Sequence, residues 1–192
     1  MMSSRKLLIL DLDETLIHAS IEPLDHEADF VAFEYHVYKR PHLDVFLDFA
    51  FCAFDVGVWT SSGKEYAQAV VDQIFRGRQP LFLFSSLKCT PRRDFHTGGY
   101  TPVKRLSKLK SLGYRLEQMI AVDDTPEKLK EHYGNLVRVA EFDGDQGDDE
   151  LLLLRDYLGL LAQVPNVRNI EKRGWRSRVM DARSGTEPGR SI

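Results

Sequence analysis

Five apolar runs that end in polar residues recur along the chain, at 7–13, 54–62, 80–86, 119–126 and 135–142. Each run is rich in β-branched or aromatic residues, and its apolar positions are continuous rather than alternating. Continuous apolarity is typical of strands that are covered on both faces, as in a parallel sheet flanked by helices. The runs therefore predict buried parallel strands.

Between these runs, apolar residues recur three or four positions apart, which is the spacing of an amphipathic helix. The pattern predicts helices that begin near Pro41 and that cover 64–75, 103–112, 126–133 and 149–164. Alternation of strand and helix is typical of proteins whose helices cover a parallel sheet. The predicted fold is α/β, with a doubly wound, Rossmann-like parallel sheet.

One segment, at 28–41, departs from this alternation. Apolar positions such as Val31, Phe33 and Tyr35 alternate there with more polar neighbours, which is typical of a half-exposed strand or a small hairpin. Because the segment directly follows the first strand, we interpret residues 20–39 as a small β insertion above the end of that strand. An edge hairpin without a functional role fits the same pattern.

The length and local composition predict one domain followed by a tail. A chain of 192 residues suits a single core, and we assign residues 1–170 to one domain. Residues 171–192 are basic and poor in apolar side chains, which predicts a mobile tail. The acidic stretch 141–150 is interpreted as a solvated loop and a negatively charged first turn for the helix that follows.

Composition and charge exclude few classes of protein. A net charge of -3 gives no general attraction to nucleic acid or membrane. The two cysteines, Cys52 and Cys89, lack paired spacing, so a reducing compartment is favoured over a disulfide framework. The first apolar run is too short for a signal peptide, and no segment approaches the ~20 apolar residues of a membrane span. We expect a cytoplasmic protein, or a nuclear one in a eukaryote.

Polar side chains gather where the predicted strands end, and in an open parallel sheet ligands bind at that edge. These side chains are Asp11, Asp13, Thr60, Ser61, Ser62, Ser85, Ser86, Asp123, Asp124 and Thr125. Four carboxylates on one edge would repel one another unless a cation held them. Carboxylate oxygens suit Mg²⁺. The four aspartates are therefore predicted to bind Mg²⁺.

A phosphate group would complete such a site. The hydroxyls of Thr60 and Ser61, with the amides of the turn that follows, are candidate donors to it. Lys104 follows two glycines at the start of a predicted helix, from which it can reach the same edge as a point charge. A solvated surface position is the alternative for this lysine, since further basic residues lie along the same helix.

This chemistry gives Asp11 and Asp13 separate candidate roles. An aspartate can attack phosphorus and form an aspartyl-phosphate, which divides one difficult displacement into two easier ones. A second carboxylate two residues later lies on the same side of an extended backbone. It can protonate the leaving oxygen and then accept a proton from water. Mg²⁺ and Lys104 would offset the negative charge on the transferred group.

With these residues assembled, the chain resembles the haloacid dehalogenase superfamily of phosphotransferases. The four motifs of that superfamily match DLDET at 11–15, Thr60, Lys104 and the pair 123–124. More narrowly, the chain resembles the small phosphatases that act on the RNA polymerase II C-terminal domain, the NLI-interacting-factor-like group. The sequences LDLDETLIHAS, VWTSSGKEYA and VDDTPEKL match that group in order, and the resemblance covers residues 6–165.

The resemblance implies Mg²⁺, an aspartyl-phosphate on Asp11, acid and base chemistry by Asp13, and a short β insertion in place of a large cap. It also implies phosphoserine or phosphothreonine in a protein as substrate, because a small insertion leaves the crevice open to a flexible segment. A small-molecule or nucleic-acid-end phosphatase on the same site is one alternative. A non-catalytic scaffold that binds a phosphoprotein is another.

The chain departs from the family pattern at two positions. Thr97 stands where relatives commonly carry an arginine, and Arg92 and Arg93 lie just upstream of it. Asp124 stands where relatives often carry asparagine, which adds a possible negative charge to the site. These departures put recognition of the polymerase tail by the same contacts in question.

Overall fold

The computed structural model describes residues 5–93 and 98–185. Within these ranges the strands β1 to β10 are, in chain order, Leu7–Leu10, Ile17–Ser20, Phe30–Ala32, Tyr35–Lys39, Asp55–Trp59, Leu83–Phe84, Thr90–Arg93, Tyr100–Val103, Met119–Asp123 and Leu136–Arg138. The helices α1 to α4 are Leu43–Ala53, Lys64–Phe75, Glu150–Gln163 and Trp175–Arg183.

The central sheet has five parallel strands in the order β10-β9-β1-β5-β6. The first strand lies in the middle, where Leu10 is paired with Val58 on one side and with Val122 on the other. All four residues of β1 are buried, as continuous apolarity predicted. The predicted α/β parallel sheet is confirmed, although β6 is much shorter than the apolar run at 80–86.

The two faces of this sheet are covered in different ways. Leu8 and Leu10 belong to a core that includes buried residues of all four α-helices. Leu7 and Ile9 point to the other face, where the cover comes from short 3₁₀ helices. The sheet is therefore covered on both sides, but by α-helices on one side only.

The helices predicted at 103–112 and 126–133 are wrong in type and extent. In the structure they are the 3₁₀ helices Leu106–Leu112 and Pro126–Leu129. The leucines at 106, 109 and 112 recur every three residues, which matches the three residues per turn of a 3₁₀ helix better than 3.6. The residues before Leu106 form a hairpin of β7 and β8, which the periodicity of the sequence did not reveal.

The β insertion is a three-stranded antiparallel sheet in the order β2-β4-β3. It begins at Ile17, three residues before the predicted start, and ends at Lys39 as expected. The turn between β3 and β4 places Phe33 at a φ of 56° with 63% of its surface exposed. The exposed apolar tip of the insertion is therefore formed by this turn and the neighbouring Val31, which is 61% exposed.

The prediction of a mobile tail from residue 171 is wrong for the described part of that segment. Helix α4 packs against α3, and Trp175 and Val179 are 2% and 3% exposed. The Trp175 ring stacks on Tyr157 with 5.3 Å between the ring centroids. Two apolar residues four positions apart are enough to anchor one helical turn, which a composition average over the whole segment conceals.

No helix in the described ranges is long and apolar enough to cross a lipid bilayer. Cys52 and Cys89 are both free thiols.

Candidate active site

Asp11 is the first residue after β1 and lies at the centre of the carboxyl-terminal edge of the sheet. Its N–H donates to the carbonyl oxygen of Val122 at 3.1 Å, which continues the ladder between β1 and β9. Only 1% of its surface is exposed. A carboxylate in such a place is costly without positive partners, and the structure supplies two.

The first partner is Lys104, which is 2% exposed. Its Nζ lies 2.9 Å from Asp11 Oδ1 and 2.6 Å from Asp123 Oδ2. Lys104 does not begin a helix as predicted but directly follows β8, and its N–H donates to the carbonyl oxygen of Lys128 at 2.7 Å. The hairpin of β7 and β8 therefore places Lys104 at the carboxyl-terminal edge of the central sheet.

The second partner is Lys128, which sequence reasoning missed. Its Nζ lies 2.9 Å from Asp11 Oδ2, 3.5 Å from Asp123 Oδ1 and 3.7 Å from Asp124 Oδ1. Its sequence position gave one indication: Lys128 lies four residues after Asp124, and side chains four residues apart lie on the same face of a helical turn. The pairing with Asp11 had no local signal.

Three carboxylates form the acidic cluster of the site: Asp11, Asp123 and Asp124. Each offers one oxygen, and these oxygens lie within 4.8 Å of one another. Carboxylate oxygens are hard ligands that fit a divalent cation. Asp13, which was also predicted to bind the metal, is not in this group, because its carboxylate faces a different set of partners.

Burial and charge act in opposite directions on this cluster. Burial alone would raise the pKa of Asp11, but Lys104 and Lys128 outweigh it, so that the pKa lies below its usual value. Burial, and then the charge of Asp11, raise the pKa of Asp123 to about 7. Burial would lower the pKa of Lys128, but Asp11 and Asp123 reverse the effect and raise it. Asp11 is therefore an ionised carboxylate at neutral pH.

Asp13 is surrounded by hydroxyl groups. Its Oδ1 accepts a hydrogen bond from Tyr66 Oη at 2.8 Å, and its Oδ2 accepts from Ser62 Oγ at 2.6 Å and from Thr60 Oγ1 at 3.2 Å. Burial and the charge of Asp13 raise the pKa of Tyr66, so this phenol stays a donor. The two aspartates of the DLD motif thus lie in contrasting environments.

The end of β5 places the predicted phosphate donors next to Asp13. Thr60 is buried, and its Oγ1 accepts a hydrogen bond from Ser62 N at 3.0 Å while donating to Asp13. Among the described residues, the Ser61 hydroxyl is buried without a hydrogen-bond partner. This hydroxyl is available to donate to a ligand.

Two threonines fix the carboxylate of Asp124. Thr125 Oγ1 donates to Asp124 Oδ2 at 2.7 Å, and Thr15 Oγ1 donates to Asp124 Oδ1 at 3.4 Å. The N–H of Thr125 donates to Asp123 Oδ1 at 3.0 Å. The turn after β9 therefore holds both aspartates in position, and Asp124 is a fixed part of the site rather than a loose surface group.

The β insertion reaches the site through aromatic contact. The rings of Tyr35 in β4 and Tyr66 in α2 lie edge to face with 5.6 Å between centroids. Tyr66 donates in turn to Asp13. The insertion is therefore in contact with the side chains that position the second aspartate of the motif.

Arg40 is a buried supporting residue that sequence reasoning also missed. Its Nη1 donates to the carbonyl oxygens of Thr15 and Ala140, and its Nε and Nη2 bind both oxygens of Asp148 at 2.9 and 2.7 Å. It ties the turn after β1 to the acidic stretch 141–150. That stretch is thus not a solvated loop throughout: Asp148 and the buried Glu150 are engaged in ion pairs.

The residues considered as replacements for the family arginine lie on β7. Arg92 Nε pairs with Glu131 Oε1 at 3.2 Å, close to the surface, and Arg93 is the last residue of the strand. Thr97, where the departure from the family pattern occurs, lies outside the described residues. A role for either arginine in place of the family residue stays a hypothesis.

Comparison with known proteins gives a consistent result. Residues 6–168 match the family model described as NLI interacting factor-like phosphatase. The chain is 35% identical over 171 residues to the "Probable C-terminal domain small phosphatase" of Dictyostelium discoideum, covering 85% of this chain and 53% of that protein. It is 33% identical over 180 residues to human carboxy-terminal domain RNA polymerase II polypeptide A small phosphatase 1, covering 88% and 64%. The chain spans about half the length of the first of these relatives.

The structure of Fcp1, described as an essential RNA polymerase II CTD phosphatase, is similar with a TM-score of 0.55. The similarity covers 98% of this chain and 55% of that one, at 18% sequence identity. At this identity the likeness shows the fold alone, whereas the family match rests on the sequence. The acidic cluster, the two lysines and the hydroxyls at the end of β5 lie within residues 6–168. On this match, the chain belongs to the NLI interacting factor-like phosphatase family.

Proposed function

We propose that this protein is a Mg²⁺-dependent phosphomonoester hydrolase that forms an aspartyl-phosphate on Asp11. The observation that carries the proposal is the environment of Asp11, a buried carboxylate held between two ammonium groups. Its ionised form keeps a lone pair available for attack, while the positive groups beside it favour an incoming phosphate. The membership of a phosphatase family supports the same chemistry.

The reaction proceeds in two displacements. An oxygen of Asp11 attacks phosphorus and the bond from phosphorus to the leaving oxygen breaks. Asp13, which enters this step carrying a proton taken up from solvent or from the previous cycle, donates that proton to the leaving oxygen. Asp13 then accepts a proton from water, whose oxygen attacks phosphorus and breaks the bond to Asp11. The hydroxyl of Ser61 and the ammonium of Lys104 stabilise the charge on the transferred phosphoryl oxygens.

The acidic cluster fits Mg²⁺ by the chemistry of its donors. Asp11, Asp123 and Asp124 would hold the ion through carboxylate oxygens. When bound, it supplies positive charge that offsets the negative charge of the phosphoryl group. Asp13, which was predicted as a further ligand, is proposed instead to work as the acid and base, because its side-chain oxygens face the hydroxyls of Thr60, Ser62 and Tyr66.

Phosphoserine or phosphothreonine in a protein is the proposed substrate class. The insertion is small and ends in the exposed apolar residues Val31 and Phe33, which can contact a flexible peptide while a large lid would exclude it. The similar proteins named as C-terminal domain small phosphatases support a phosphoprotein substrate. We place the enzyme in the cytoplasm, or in the nucleus of a eukaryotic cell.

The Asp11→Asn variant tests the nucleophile. Its turnover of p-nitrophenyl phosphate with Mg²⁺ is expected to disappear while its circular dichroism stays that of the native protein. Asp181→Asn, at an exposed aspartate of α4, is the matched control and is expected to keep native turnover. Near-native rates for Asp11→Asn would refute the assignment.

A panel of substrates tests the substrate class. Phosphopeptides, mononucleotides and 3′-phosphorylated oligonucleotides are compared by kcat/KM at one ionic strength. Phosphopeptides are expected to lead. A higher kcat/KM for oligonucleotides or nucleotides would favour the alternative substrates on the same site, and no hydrolysis of any of them would favour a non-catalytic binding protein.

A further inference from the structure

The two lysines of the site contact different oxygens of the acidic cluster. Lys104 contacts Asp11 Oδ1 and Asp123 Oδ2. Lys128 contacts Asp11 Oδ2 and Asp123 Oδ1, the opposite oxygens, together with Asp124 Oδ1. Lys128 is therefore the lysine whose ammonium lies where oxygens of all three carboxylates converge. A cation bound by the three carboxylates together needs that same region.

An ammonium and a divalent cation cannot share this region. Nζ of Lys128 lies within 3.7 Å of one oxygen of each carboxylate. The three carboxylates can each bring one oxygen within 4.8 Å of the others, so an ion held by all three would compete with this ammonium for the same space. Two positive charges in contact repel strongly in a site shielded from water. Lys104 can remain in place, because it pairs with the other oxygen of Asp11 and of Asp123, and among the described residues its ion pairs do not include the third carboxylate, Asp124.

The backbone of Lys128 is anchored, whereas its side chain has a route outward. Its carbonyl oxygen accepts the N–H of Lys104 at 2.7 Å, and its N–H donates to the carbonyl oxygen of Thr125 at 3.1 Å. The side chain is 15% exposed, compared with 2% for Lys104. A four-carbon stem can rotate and carry its ammonium to solvent without a change in the backbone.

We propose that Lys128 is the internal counter-ion of the metal site: its ammonium neutralises the acidic cluster in the absence of metal and is displaced when a divalent cation binds. This inference rests on the metal dependence in the proposed function. Lys128 thereby sets how tightly the site binds the ion, because every binding event must first separate the lysine from three carboxylates. It also keeps the fold from depending on metal for its stability.

Calorimetric titration with Mg²⁺ tests the inference on two matched variants. Lys128→Met removes the ammonium but keeps an unbranched apolar stem, and Lys130→Met removes an exposed lysine from the same turn. Lys128→Met is expected to bind Mg²⁺ at least about tenfold more tightly than the native protein, since a competing unit charge is gone. Lys130→Met is expected to match the native protein. Equal or weaker affinity in Lys128→Met would overturn the proposal.

Thermal unfolding gives a second readout on the same variants. In EDTA, Lys128→Met is expected to unfold at a lower temperature than Lys130→Met, because its carboxylates are uncompensated. Mg²⁺ is expected to raise the unfolding temperature of Lys128→Met more than that of the control. Equal shifts in the two variants would contradict a counter-ion role.

The native protein provides a test that does not depend on the folding of a variant. Acetylation of lysines by an amine-reactive reagent is followed by mass spectrometry with EDTA or with Mg²⁺. Modification of Lys128 is expected to be slow in EDTA and faster with Mg²⁺, whereas that of Lys130 stays constant. Mg²⁺ binding without a change at Lys128 would overturn this inference alone, and no Mg²⁺ binding at all would overturn the proposed metal dependence as well.

Discussion

Asp11 and Asp13 lie two residues apart, yet they meet opposite kinds of partner. Asp11 is held by the ammonium groups of Lys104 and Lys128, which favour its charged form. In the proposed mechanism Lys104 stays beside Asp11 when a divalent cation displaces Lys128, so the carboxylate keeps a positive partner for its attack on phosphorus. Asp13 accepts hydrogen bonds from three hydroxyls, which hold its direction without adding a charge. In the proposed mechanism these different environments go with different roles, Asp11 as the nucleophile and Asp13 as the acid and base.

The Asp13→Asn variant is expected to release p-nitrophenol in a burst of about one equivalent and then turn over slowly. A p-nitrophenolate group leaves without needing a proton, so the first displacement survives. Hydrolysis of the aspartyl-phosphate lacks its base, which is worth about 10²–10⁴ in rate. Rapid-quench measurement of p-nitrophenol over the first turnovers checks this outcome.

Two controls test whether the burst of p-nitrophenol is caused by the loss of the Asp13 carboxylate. Asp25→Asn, at an aspartate whose side chain is 99% exposed, is expected to show the native time course. A phosphoserine peptide, whose leaving alkoxide does need a proton, is expected to show no burst with Asp13→Asn. A linear time course with p-nitrophenyl phosphate at a reduced rate would place Asp13 in the first displacement only.

The site residues that could be predicted from sequence are those that follow strands or sit in a recognisable motif. Lys128 and Arg40 were not recognised as site residues, because neither ends a predicted strand and the partner of each lies far away along the chain. Lys128 is 117 positions from Asp11, and Arg40 is 108 positions from Asp148. A lysine or arginine on a turn has no feature that distinguishes a buried partner from solvent until the fold brings the carboxylate to it.

The segment between β10 and α3 shows the same limit for an element. An acidic run is usually solvated, but here Asp148 accepts two hydrogen bonds from Arg40. Glu150 accepts from Ala140 N at 2.8 Å and from Arg176 Nε at 2.6 Å. Asp148 and Glu150 therefore link the turn after β1, the residues that follow β10 and α4, so two of the charges in this run are structural while the exposed ones are solvated.

Arg40→Met is expected to lower the free energy of unfolding by about 3–5 kcal/mol, because Asp148 and two carbonyl groups lose their partner inside the fold. Chemical denaturation in urea measures this change. Arg76→Met is the matched control, since its pair with Asp44 at 3.1 Å is half exposed and is expected to contribute less than about 1 kcal/mol.

A second substitution separates the ion pair from the loss of packing. Adding Asp148→Leu to Arg40→Met removes the uncompensated carboxylate, so part of the lost stability is expected to return. The Arg40 side chain also lies over the Phe142 ring, with 5.2 Å from its central carbon to the centroid, and that contact is not recovered. A double variant as unstable as the single one would show that the lost packing and the unpaired carbonyl groups, and not the carboxylate of Asp148, explain the loss.

At the scale of the whole molecule, the parallel sheet and the β insertion followed from periodicity, whereas the cover of the two faces of the sheet did not. Strand order is constrained by chain alternation and buried runs. Which helices cover each face of the sheet depends on which later segments of the chain pack against it. Helix α4 packs against the core through the buried side chains of Trp175 and Val179. Four of the nine residues of α4 are charged, so its composition indicated a solvated segment.

The described part of the C-terminal segment from residue 171 packs against α3 and covers one side of the core. Trp175 stacks on Tyr157 and donates from Nε1 to the carbonyl oxygen of Arg138 at 2.8 Å. Lys172 donates to the carbonyl oxygens of Gly134 and Ile170 at 2.8 and 2.9 Å, and also to that of Val167. These contacts link the segment to the edge strand β10 and to the turn before it.

Deletion of residues 171–192 is therefore expected to destabilise the entire domain rather than remove an appendage. Loss of a buried tryptophan alone costs about 3–5 kcal/mol, a large part of the roughly 5–15 kcal/mol that stabilises a typical domain. Trp175→Ala is expected to lose that amount in urea unfolding, and Met180→Ala, at a 52% exposed position of the same helix, less than about 0.5 kcal/mol.

Because α3 packs on both α1 and α4, the truncated chain is expected to lose phosphatase activity together with its cooperative transition. A truncated chain with the urea midpoint of the native protein would show instead that the packing of α4 adds nothing to the stability of the sheet that carries Asp11.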